Sequence, residues 1–96
     1  MTQFRNGDVV RLERGILTAH KGDRAFVYEE YQDFDDQTKK GVRLITEYGV
    51  NLGGLSFNDQ QLYLTFIEHS GMTYTFTDVL KLKNDFDNGV LSVVFV

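Results

Sequence analysis

Cysteine is absent from this chain of 96 residues, and so are proline and tryptophan. Without cysteine there is no thiolate catalysis, no cysteine-ligated zinc, no iron–sulfur centre and no disulfide. That composition suits a reducing compartment, and a cytoplasmic location is expected. Long apolar runs are missing too. Nothing approaches the ~20 residues needed to cross a bilayer, so no membrane partner is expected. The opening MTQFRNGD has no apolar run after Arg5, so no secretory signal is expected either. Histidine is scarce, with only His20 and His69, and no spacing to Asp or Glu recommends a shared zinc site.

What is present is acidic and aromatic. Ten basic residues against fourteen acidic ones leave a formal charge of -4. This counts against a broad phosphate-neutralising surface, although a local basic patch is compatible with it. Eight Phe and five Tyr supply large apolar area to a core that must be small. The length has room for one domain, taken as residues 1–96.

Alternation with a period of two dominates the pattern. In GDVVRLERG, Val10 and Leu12 face one way and Val9, Arg11 and Glu13 the other. RAFVYEEY sets Phe26 and Tyr28 against Ala25, Val27 and Glu29, and GVRLITEYG sets Val42, Leu44, Thr46 and Tyr48 against Arg43, Ile45 and Glu47. The polar stretch 32–41 between them reads as an exposed hairpin loop. Gly53-Gly54 lacks the lysine and spacing of a phosphate loop and reads as a tight turn or bulge. Ser56, three residues before Asp59, is placed to cap a single helical turn, and residues 62–68 then alternate as a strand. Ser70-Gly71 reads as a turn, followed by Met72, Tyr74 and Phe76 on one strand face. DVLKLKN admits a strand or a short helix. The strand is favoured, because Leu80 and Leu82 alternate with Lys81 and Lys83. Asn88-Gly89 reads as a two-residue hairpin turn before a final strand in LSVVFV. The expected fold is all-β: a small SH3-like barrel of five to seven short antiparallel strands, closed to hide its edges.

One stretch carries a family likeness. Gly7, Asp8, Val10, Leu12, Gly15 and Gly22, followed by apolar Ala25 and Val27, resemble the KOW motif of small SH3-like barrels in ribosomal proteins and transcription elongation factors. The likeness covers residues 7–27. It departs from the motif at Ala19, where a glycine is usual, and at Arg24, which displaces the apolar position by one. It implies a loop at Ile16 to Asp23 that contacts RNA or a protein partner, with His20, Lys21 and Arg24 as polar contacts.

Catalytic and metal chemistry find no footing in the residues. Asp33, Asp35 and Asp36 fail the calcium-loop pattern, since Thr38 and Leu44 stand where its glycine and distal glutamate belong. Asp85, Asp87 and Asn88 are explained by a hairpin turn. Ser56, Ser70 and Ser92 sit in no nucleophile-elbow context, and Glu29 and Glu30 point to opposite faces of a strand. No cofactor is expected. The tyrosines are the stronger surface signal, because tyrosine is favoured at interfaces. Tyr28 is among them, and Tyr31 and Tyr48 are expected to lie together beside the polar loop. The reading is a non-enzymatic binding module, with a protein partner favoured over RNA and with a structural subunit or homo-oligomer as a further alternative.

Overall fold

The computed structural model describes residues 4–32, 40–74 and 79–95. Five strands form one antiparallel sheet: β1 (Asp8–Leu12), β2 (Arg24–Gln32), β3 (Lys40–Thr46), β4 (Asn51–Ser56) and β5 (Leu64–His69). Their order across the sheet is β4-β3-β2-β1-β5. The first four strands make a meander. The chain then crosses through helix α1 (Phe57–Tyr63) to lay β5 beside β1. Helix α2 (Val79–Asp87) and a short 3-10 helix, Ser92–Phe95, complete the described chain.

The alternation in β1 to β3 sorts side chains onto two buried faces. Val10, Leu12, Ala25, Val27, Val42 and Leu44 lie on one face with Leu52 and Leu64. On the other, Val9 stands opposite Phe26 and Phe26 opposite Ile45, and this apolar row is covered by Leu82, Leu91 and Val94. A sheet buried on both sides needs apolar residues at both parities, which is why Val9 and Val10 are adjacent and both buried. Each fully buried large side chain contributes roughly 2 kcal/mol of transfer free energy.

The sheet corrects the expected all-β, SH3-like or KOW-like barrel. The sheet is open, with β4 and β5 as its two edges and no pairing between them among the described residues. The fold is mixed α/β. Residues 79–87 are helical because the burial period there is four. Leu82 is 1% exposed and Phe86 packs into the same cluster, while Leu80 is 66% exposed. Asn88-Gly89 ends a helix instead of turning a hairpin. The Gly89 amide donates to the Phe86 carbonyl (3.1 Å) and the Val90 amide to the Asp85 carbonyl (2.9 Å), with Gly89 at φ +78°. This is the two-bond closure that a left-handed glycine gives a helix C-terminus. The expected last strand is instead the 3-10 turn, which buries Val94 three residues after the buried Leu91 that precedes it. Residues 72–74 are not a strand, and Phe76, like Asp33, Asp35 and Asp36, lies outside the described residues.

Two expectations from the middle of the chain hold. The Ser56 hydroxyl accepts from the Asp59 amide and caps α1, which extends for seven residues. Gly54 is the extra residue where β4 bulges, since Val42 pairs with Leu55 and Arg43 with Gly53.

Candidate functional site

The expected polar contacts of the β1–β2 connection do not share one state. His20 and Lys21 are exposed, and the Asp23 carboxylate accepts from the His20 amide at 2.9 Å. Arg24 is engaged. Its guanidinium donates to both oxygens of Glu47 (3.2 and 3.0 Å), and its amide donates to the same carboxylate at 2.9 Å. The guanidinium holds the Glu47 carboxyl below the usual carboxylate range. At the tip of this connection Ile16 and Ala19 exchange backbone hydrogen bonds, and Leu17 between them has φ +54° and is 88% exposed.

The three tyrosines separate. Tyr31 lies at the far end of β3, paired with Gly41, where the Arg43 guanidinium sits 5.0 Å from its ring centroid. Tyr48 stands in the β3–β4 turn, 72% exposed. Five residues of strand, about 17 Å, separate Gly41 from Thr46. Tyr31 and Tyr48 therefore do not meet. Tyr28 is buried between them, and its hydroxyl donates to the Asn51 side-chain oxygen at 2.8 Å. Burial pushes the Tyr28 phenol up.

One of these tyrosines, Tyr48, opens onto a place that the sequence did not single out. Tyr48 lines a cleft of about 270 Å³ between the β3–β4 turn and α2, and Asn51, the partner of Tyr28, lines it too. Ile45, Leu82 and Phe86 form its apolar side, and Lys83 and Asp87 stand along it on the helix. The turn is held by buried Thr46, whose hydroxyl accepts from the Val50 amide at 3.0 Å and the Tyr48 amide at 3.3 Å.

A second surface lies at the opposite sheet edge. After Leu64, every residue of β5 is exposed. Phe66 is 51% exposed and Ile67 41%, and Leu62, on the last turn of α1, is 54% exposed. Apolar residues at both parities of LYLTFIE, quoted from residues 62–68, are the sequence signal of this edge. The strand ends in His69, whose Nδ1 lies 2.8 Å from the buried Asp8 carboxylate. Gly7 permits this junction. A β-carbon there would lie 2.7 Å from the Met72 carbonyl oxygen and 2.8 Å from His69 Cε1, and its φ is +100°.

Among the described residues no three His, Cys, Asp or Glu side chains gather as metal ligands, and no helix is long and apolar enough to cross a membrane. No family model matches the chain, nor does any curated protein or solved structure.

Proposed function

We propose that the chain is a non-enzymatic protein-binding module that takes an extended partner segment onto the edge of β5 that pairs with no strand among the described residues. One observation carries this reading: an edge strand that presents Phe66 and Ile67 to solvent, extended by Leu62. Edge strands left open are usually blunted by charge, and an apolar one is a template for another strand. Strand β5 bulges at Ile67, since Val10 pairs with Phe66 and Val9 with Glu68. A partner strand gains main-chain hydrogen bonds along β5 on either side of the bulge, and its side chains meet Phe66 and Ile67. The partner segment is therefore extended, with large apolar residues.

Panning a displayed random-peptide library against the immobilised protein tests this, with Phe66→Lys as the control. The wild type is expected to enrich extended apolar peptides that slow amide exchange in β5. The lysine on the edge is expected to abolish that enrichment. Equal enrichment by both proteins, or protection confined to another strand, would overturn the reading.

A further inference from the structure

Helix α2 carries two Lys–Asp pairs of the same spacing and orientation, and they behave differently. Lys81 reaches Asp85 at 3.3 Å. Lys83 and Asp87, also four residues apart with lysine first, form no ion pair with any described residue. Helical spacing and orientation, which set the strength of such pairs, are the same for both. What differs is their surroundings: Lys83 and Asp87 flank the cleft against the β3–β4 turn.

We propose that this cleft binds a free α-amino acid with an apolar side chain. The apolar side of the cleft, half-buried Phe86 over the buried Ile45 and Leu82, receives the ligand's side chain. Lys83 takes its carboxylate and Asp87 its ammonium group. Those two ligand charges sit one carbon apart, and residues at i and i+4 have Cβ atoms about 6 Å apart, so both helix side chains reach them. Asn51 adds a donor. Its side-chain oxygen is already held by the Tyr28 hydroxyl, which leaves its amide N–H groups for the carboxylate. At about 270 Å³ the cleft falls just below the usual ~300–1,000 Å³ of ligand pockets, which favours a ligand of this size. The site lies on the β3–β4 side of the sheet, away from β5, and does not depend on the peptide-binding reading.

Amide NMR titrations of the full chain with L-phenylalanine, L-leucine, N-acetyl-phenylalanine and phenylalanine amide test it. Saturable shifts are expected at Ile45, Tyr48, Gly49, Leu82 and Phe86 with the two free amino acids. Each blocked derivative is expected to bind about tenfold more weakly, the loss of one charge-assisted contact. Lys83→Met should bind phenylalanine and its amide alike, and Asp87→Asn should bind phenylalanine and its acetyl form alike. Both positions are exposed, so both variants keep the fold. Phe66→Lys should bind as the wild type does. No saturable shift, or equal binding of free and blocked forms by the wild type, overturns the proposal.

Discussion

The Asp8 carboxylate joins two strands that are 61 residues apart in the chain, accepting at 2.8 Å from the Arg5 amide and lying 2.8 Å from Nδ1 of His69. The Asp8 side chain is 5% exposed and that of His69 35% exposed. Asp8→Ala strands the half-buried Arg5 amide and the histidine together and is expected to cost about 2 kcal/mol. Water can replace the imidazole, so His69→Ala is expected to cost about 1 kcal/mol. Urea unfolding of the two variants checks the order, and equal losses would refute it.

Helix α2 makes a sharper distinction. Leu82→Ala removes a side chain that is 1% exposed and is expected to cost about 2–4 kcal/mol. Leu80→Ala, at 66% exposed, is expected to stay within about 0.5 kcal/mol. In a strand the two leucines would share a face and cost alike. Denaturant midpoints decide between the two.

Leu17 adopts φ +54° at a hairpin tip, a backbone region that side chains disfavour. Leu17→Gly is expected to raise stability by about 1 kcal/mol, since the strain goes and an 88% exposed side chain loses little packing. A lower urea midpoint for this variant would show that the leucine is held by contacts.

Burial, with the Asp85 carboxylate close by, pushes the Tyr74 hydroxyl up to about 12. The folded state therefore keeps this proton after the unfolded chain, with its tyrosine near 10, has released it. The resulting stability is fully present below pH ~10 and is lost as pH rises through ~12. Tyr74→Phe is expected to flatten that alkaline limb. Unfolding followed against pH, with ultraviolet absorbance reporting tyrosinate, measures it.

At the acid end the sign reverses. Arg24 lowers the Glu47 carboxyl, so the pair's stabilisation is present above the unfolded value near 4.5 and is lost as pH falls through the folded one. The pair is partly exposed, at 35% and 18%, and is expected to be worth about 1 kcal/mol. Glu47→Gln should lose that amount at neutral pH and almost none in strong acid, as denaturation at the two pH values would show.

Strands β1 to β3 were legible in the sequence because a period of two survives burial on either face. The Ser56 cap was legible because one hydroxyl and one amide make it locally. Helix α2 was not. In LKLK the alternation mimics a strand, and only Leu82 with Phe86 shows the helical interval. Asn88-Gly89 was ambiguous for a physical reason: a left-handed glycine ends a helix as readily as it turns a hairpin. Barrel closure was inferred from the need to hide sheet edges, and this sheet instead covers one face with α2 and leaves its β5 edge apolar. The site residues were less legible than the fold. Tyr48 and the partner of Tyr28 meet at the cleft, but Lys83 comes to it from a stretch that reads as a strand, and Phe86 and Asp87 from beside an expected hairpin turn. The Asp8–His69 contact depends on strand order, which no local pattern encodes.

That strand order bears on how the molecule assembles during synthesis. Residues 8–12 pair with β2 across a short connection, whereas their other flank pairs with residues 64–69, far along the chain. Closing so long a loop costs entropy before the pairing rewards it, so docking of β5 is the late step. While it is pending, one flank of β1 is unpaired, and β5 of a second copy is expected to compete for it. Refolding at high concentration is then expected to raise an exchanged dimer and dilution to favour the monomer, as size-exclusion chromatography would show.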